Sequence, residues 1–183
     1  AELDGVYTLR SMDDAKAIKN ASDNKHVVIV GTGFIGMEVA SALMEAGKAA
    51  SITVVGRNRR VMANIVSESV SNALIKLHEE KGVNFVFGAG VDEINTAEDG
   101  TDNENSKVSG VTLSDGSTLA ADVLILGTGV APRTELLNEV NAPDGVQVDE
   151  NLQLRDGVYA LGDIAKATNQ MGRMRIEHWR VAL

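Results

Sequence analysis

The feature that leaves this chain least freedom is the run His26-Val27-Val28-Ile29-Val30-Gly31-Thr32-Gly33-Phe34-Ile35-Gly36-Met37-Glu38. Its unbroken apolar stretch reads as a strand buried in a parallel sheet, where both faces are covered and no polar alternation survives. Three glycines follow at G-x-G-x-x-G spacing. From Phe34 to Ala46 the spacing predicts a helix, with Ile35, Val39, Ala42, Leu43 and Ala46 on one face. Strand, tight turn and helix N-terminus are the context in which such glycines have a physical task. Gly31 permits the turn, Gly33 lets a pyrophosphate approach the backbone, and Gly36 allows helix and strand to pack closely. The first helical N–H groups, in the segment with Thr32, Phe34 and Ile35, are free to meet an anion. These residues point to dinucleotide binding.

The flanking sequence extends the same architecture. Gly5 to Leu9 reads as a short strand or loop, followed by a helix that Ser11 can cap, with Asp13 and Asp14 favourable in its first turn. Ser51 to Val55 is a second strand of the sheet, completing a βαβ unit. Val66 to Lys81 predicts a helix with Val70, Ala73, Leu74 and Leu77 as its apolar stripe, and Val83 to Phe87 a third parallel strand. The fold class expected is α/β, a Rossmann-like, doubly wound parallel sheet. Then the character changes. Val91 to Asn95, Ser106 to Leu113 and Ser117 to Ala121 read as an inserted three-stranded antiparallel meander, with a hairpin turn at Ser114-Asp115-Gly116. Asp122 to Leu126 returns as a buried strand, ending at Gly127-Thr128-Gly129. Beyond Pro132, Val146 to Val148 and Val158 to Leu161 are strand-like, while Lys166 to Arg175 is polar and without clear periodicity.

Composition removes several classes of function. With no cysteine, the chain holds no disulfide, no dithiol redox pair, no thiol nucleophile and no thiolate metal site. A net charge of −9 argues against nucleic acid as a partner. Much of it is local: Asp92, Glu93, Glu98, Asp99, Asp102 and Glu104 fill one polar stretch, best read as a solvated loop. No run reaches membrane-spanning length, and the acidic start Ala1-Glu2-Leu3-Asp4-Gly5 is no signal peptide. An intracellular setting, cytoplasmic or mitochondrial, is expected. The absence of an initiator Met and the ending at Leu183 read as those of an excised piece.

Four features in order carry a resemblance. They are Gly31-Thr32-Gly33-Phe34-Ile35-Gly36 with Glu38, the meander, Leu126-Gly127-Thr128-Gly129-Val130-Ala131-Pro132, and Val158-Tyr159-Ala160-Leu161-Gly162-Asp163. Together they resemble the pyridine-nucleotide-dependent flavoprotein reductases with two dinucleotide-binding folds. The Phe-Ile-Gly-x-Glu turn and Arg175-Ile176-Glu177-His178-Trp179 look most like the apoptosis-inducing-factor-like oxidoreductases and the ferredoxin reductases serving Rieske oxygenases. The resemblance implies three segments: 1–24 ending a first FAD-domain segment, 25–127 an NAD(P)H-binding domain, and 128–183 the start of the returning FAD segment. A first FAD glycine motif and an interface domain would then be missing. It further implies that Glu38 lies near the nicotinamide in the helix's first turn, and that Gly162 and Asp163 meet the FAD ribityl chain. Gly127, Thr128 and Gly129 would form the crossover, with Trp179 near the flavin. The function implied is hydride transfer from NAD(P)H to FAD, then electron transfer to an iron–sulfur acceptor, a ferredoxin or Rieske protein. Alternatives are a nucleotide-binding piece without turnover, or a signalling protein whose association the nucleotide controls. No metal site is implied.

The nicotinamide cofactor can be read from the end of the second strand. An acidic residue there binds the ribose 2′-OH in NAD-binding folds. Here the place is held by Gly56, followed by Arg57-Asn58-Arg59-Arg60. Without the carboxylate, Arg57, Arg59 and Arg60 could clamp a 2′-phosphate, which favours NADPH over NADH. A solvated loop is the other reading of these arginines. On the first reading, placing Glu at position 56 should restore NADH preference.

Overall fold

The computed structural model describes residues 3–97, 106–137, 142–169 and 172–175. They fall into two compact units, Ala1–Gly129 and Val130–Leu183. The first runs β1 (Val6–Thr8), α1 (Met12–Ala21), β2 (His26–Val30), α2 (Phe34–Ala46), β3 (Ser51–Gly56), α3 (Glu68–Glu79), β4 (Val83–Phe87), β5 (Val91–Thr96), β6 (Val108–Leu113), β7 (Thr118–Ala120) and β8 (Val123–Leu126). Five strands form one sheet in the order β1-β8-β2-β3-β4, every neighbouring pair parallel. Strands β5, β6 and β7 form the separate antiparallel meander.

Strand β2 is central, and its side chains explain its composition. Alternate residues of a strand face opposite ways. Val27 and Ile29 pack with Ile18 of α1 and with Val39, Ala40 and Leu43 of α2. Val28 faces the other side, among Val108, Val111 and Leu113 of β6. All three are at most 2% exposed. One face of the sheet is thus roofed by helices and the other by the meander, which takes the place that helices hold in a doubly wound sheet. Both faces are dry, so the run stays apolar.

Helix faces depart from the expectation. On α2 the buried residues are Gly36, Met37, Val39, Ala40 and Leu43, while Ala42 and Ala46 are exposed. The stripe expected on α3 is displaced further. Val70 and Leu77 are exposed, as is Ala73, and the inward face is Ser71, Leu74, Ile75 and His78. Hydrogen bonds make this polar face possible. His78 Nδ1 lies 2.8 Å from the Leu74 carbonyl, and its ring packs edge-on against Phe85. Helix α3 is also shorter than the expected Val66–Lys81, beginning after Ser67.

The first twenty-odd residues belong to this unit. Strand β1 is the sheet's edge, with Val6 opposite Leu124, and Ile18 is buried in the helix-side core. The first compact unit thus takes in the residues on both sides of Lys25 and ends at Gly129. In the second unit, β9 (Val146–Gln147) pairs with β12 (Ala165–Asn169), and β12 with β13 (Gly172–Arg175). A separate hairpin joins β10 (Gln153–Arg155) and β11 (Val158–Tyr159). Within the segment from Lys166 to Arg175, without periodicity in the sequence, residues 166–169 and 172–175 thus pair as antiparallel strands. Its core is small: Val146, Val148, Ala160 and Ala165 are buried, while Leu136, Tyr159 and Leu161 stand exposed.

The expected cap on α1 is present and reciprocal. Asp14 N donates to Ser11 Oγ, while Asp14 Oδ2 accepts from the backbone N–H of Ser11 (2.7 Å) and Arg10 (2.9 Å). The backbone N–H groups of Ser11, then Arg10, then the Ser11 hydroxyl hold the Asp14 carboxyl below the usual carboxylate value. A carboxylate whose pKa falls on folding stabilises above its unfolded value, and that stability is lost as pH drops through the folded value. Asp14→Asn should therefore lower Tm at about pH 6, with the gap to wild type closing by about pH 2. Thermal unfolding followed by circular dichroism across that range checks the sign.

Candidate functional site

The glycine turn sits at the C-terminal end of β2, where strands β2 and β8 and helix α2 converge. Gly31 has φ +121°, a value side chains rarely adopt, and its N–H donates to the Val55 carbonyl at 2.8 Å. A Cβ on Gly31 would overlap the Gly127 carbonyl oxygen, and one on Gly36 would overlap the Gly31 carbonyl oxygen. A Cβ on Gly127 would lie 3.2 Å from Gly36 N. Gly127 N in turn donates to the Val30 carbonyl at 2.8 Å. Three backbones therefore meet with no room for a side chain on Gly31 or Gly36 and little on Gly127.

Gly33 is different. Its φ of −84° and ψ of −167° are open to any residue, and a Cβ there would find nothing within 4 Å. It is the N-cap of α2, and no side chain caps that helix. The fold requires Gly31 and Gly36, but nothing inside the fold requires Gly33. Its open side lies over a helix N-terminus whose first N–H groups have no partner within the helix. That combination suits an anion approaching the backbone.

The neighbouring residues sort by what they touch. Thr32 is buried, and its carbonyl accepts from Met62 N at 2.8 Å. Phe34 is half exposed and Ile35 packs partly against the helix-side core. Glu38 is exposed on α2 but one turn further along than expected, since the first turn holds no acidic residue. At the end of β3, Gly56 is buried, and a Cβ there would overlap Thr32 Cγ2 and lie 2.8 Å from Thr32 Oγ1. A glutamate at 56 would have to displace Thr32, so that substitution does not test nucleotide preference cleanly.

The three arginines also separate. Arg57 and Arg59 are exposed. Arg57 lies along Gly90, its Nε 3.1 Å from where a Cβ on that glycine would stand. Arg60 turns inward. Its guanidinium donates to the carbonyls of Val66 (2.9 Å) and Ala63 (2.6 Å) and to Ser71 Oγ (2.8 Å). It therefore does not stand with the other two as a clamp. Sequence reading missed Met62, Ser71 and Gly90, since tertiary contacts alone give them a part.

Thr128 and Gly129 are exposed at the end of the first unit, with Gly129 at φ +116°. In the second unit Gly162 has φ +73° and opens a single 3-10 turn, Gly162–Ile164, that leaves Asp163 exposed. Trp179 lies outside the described residues. Among the described residues no cluster of His, Cys, Asp or Glu could hold a metal ion. No helix among them is long and apolar enough to cross a membrane.

With this geometry in place, comparison with known proteins is decisive at the level of family. The family model for pyridine nucleotide-disulphide oxidoreductases matches residues 1–183. The chain belongs to that family. It is 36% identical over 173 residues to a rubredoxin-NAD(+) reductase of Pseudomonas putida, covering 92% of this chain and 43% of that protein. It is 31% identical to human apoptosis-inducing factor 3, covering 99% of this chain and 30% of that one. Among solved structures, the ferredoxin reductase for the CYP199A2 system of Rhodopseudomonas palustris superposes with a TM-score of 0.84 at 32% identity, over 96% of this chain and 43% of that one. Putidaredoxin reductase in covalent complex with putidaredoxin gives 0.84 at 29% identity, over 97% and 42% respectively. This family member thus spans less than half the length of these relatives. The α/β fold and the likeness to ferredoxin reductases and apoptosis-inducing-factor-like proteins agree with the sequence reading.

In this member of the family the two kinds of glycine predict opposite behaviour. Gly36→Ala should cost about 2–3 kcal/mol of unfolding free energy, because the overlapping atom is backbone and cannot rotate away. Gly33→Ala should cost less than about 1 kcal/mol, since poorer capping is offset by a less flexible unfolded chain. Urea denaturation of the two variants measures both.

Proposed function

We propose that this chain is the nucleotide-binding portion of an FAD-dependent NAD(P)H oxidoreductase, and that the dinucleotide pyrophosphate rests on the glycine turn. The supporting observation is Gly33, open above an uncapped helix N-terminus and unexplained by any internal contact. Gly31, Thr32, Gly33, Phe34, Ile35 and Gly36 form the cradle. Glu38, exposed one turn into α2, is the proposed neighbour of the nicotinamide.

Arg57 and Arg59 are the proposed partners of a 2′-phosphate, which makes NADPH the nucleotide of choice. Two exposed cations stand after β3, and the carboxylate that would repel a phosphate is missing. Relatives named for NAD(+), including the Pseudomonas putida enzyme, make NADH the competing cofactor. Gly162 and Asp163 are the proposed FAD contacts, with the Asp163 carboxylate accepting from a cofactor hydroxyl; Gly127, Thr128 and Gly129 are the proposed crossover close to the nucleotide. The chemistry that FAD would supply when bound is acceptance of a hydride and onward release of electrons to an iron–sulfur protein. Relatives named as reductases of rubredoxin, ferredoxin and putidaredoxin support that class of acceptor. The protein's own part is to bind, orient and exclude water, so no side chain need act as general acid or base.

Calorimetric titration with NADH, NADPH and FAD separately tests the reading. Binding of NADPH more tightly than NADH is expected. Replacing Arg57 and Arg59 together by Ala should weaken NADPH by about tenfold or more and NADH by about twofold at most. No binding of either nucleotide would contradict the proposal, and equal losses would contradict the phosphate contact.

A further inference from the structure

Arg60 makes three hydrogen bonds, and all of them are to its own chain. Two hold carbonyls at positions 63 and 66, which closes the segment between β3 and α3 on itself. The third reaches Ser71 Oγ, and Ser71 is fully buried and donates onward to the Val61 carbonyl. The guanidinium thus ties three points of residues 61–71 together, a task its planar fork of donors suits and an ammonium does not. Within that segment Met62 has φ +49°, uncommon for a residue with a side chain. Its N–H donates to the Thr32 carbonyl at 2.8 Å, inside the glycine turn. Thr32 is in turn seated against Gly56, where an added Cβ would overlap its side chain.

From this chain of contacts we infer that Arg60 is a positioning residue for the dinucleotide, acting on the glycine turn through Met62 and Thr32. The inference rests on the proposed binding of a dinucleotide at that turn. Arg60 fixes the 61–66 segment, the segment holds the Thr32 carbonyl, and the planar Thr32–Gly33 peptide that carries this carbonyl also sets the direction of the Gly33 N–H. A role of this kind does not distinguish the two nicotinamide nucleotides, because both carry the same pyrophosphate. A direct contact with a 2′-phosphate would distinguish them.

The test compares the whole chain with its Arg60→Lys and Ser71→Ala variants, titrated with NADH and with NADPH well below the unfolding temperature. Both nucleotides should weaken by the same factor, about tenfold for Arg60→Lys and less for Ser71→Ala, leaving their ratio as in wild type. The amide resonances of Thr32 and Gly33 should shift in both variants before any nucleotide is added. Selective loss of NADPH would overturn the inference in favour of direct phosphate contact. A lowered Tm with both affinities and both resonances unchanged would overturn it in favour of a structural role alone. Failure of the wild-type chain to bind either nucleotide would overturn the dinucleotide reading and this inference together.

Discussion

The structure depends on one steric constraint, the meeting of three backbones at Gly31, Gly36 and Gly127. Helix α2 can start directly above the end of β2 only because no side chain stands between Gly36 and the Gly31 carbonyl. Strand β8 runs beside β2 to its end, where a side chain on Gly127 would crowd Gly36 N at 3.2 Å. Interiors are packed too densely to absorb a misplaced methyl at such a point. The result is a helix N-terminus held against the end of the sheet, with no side chain capping it.

Two kinds of covering then hold that point rigid. On one side, α1 and α2 bury Ile18, Val39, Ala40 and Leu43 against Val27 and Ile29. On the other, the meander buries Val108, Val111 and Leu113 against Val28. The meander is therefore more than an insertion: it closes a sheet face that would otherwise be wet. It also brings Gly90 under Arg57, so the cation after β3 lies on the connection from β4 to β5.

Most of this was legible wherever local chemistry and burial agree. The βαβ unit, the meander, the Ser11 cap and the returning strand follow from apolar runs, glycines and turn residues. The helix faces were less legible. On α3 the exposed Val70 and Leu77 are more apolar than the buried Ser71 and His78, so periodicity selects the wrong side. Hydrogen bonds from Ser71 to Val61 and from His78 to Leu74 reverse the ordinary preference, and they depend on partners that hydropathy does not reveal. The arginine cluster shows the same limit. Four consecutive positions, Arg57 to Arg60, contain three like charges, yet one guanidinium serves the protein's interior while two face solvent. Its inward turn is set by the carbonyls of Ala63 and Val66 and by Ser71, none of which a charge pattern can announce.

The glycine turn and the start of α2 are the proposed seat of the dinucleotide pyrophosphate. Amide resonances of an isotope-labelled chain, followed while NADPH is added, report on that seat residue by residue. The largest shifts are expected at Gly33, Phe34 and Ile35, with residues 146–169 little changed. Saturable binding that leaves those three amides unmoved, or that moves the second unit instead, would contradict it.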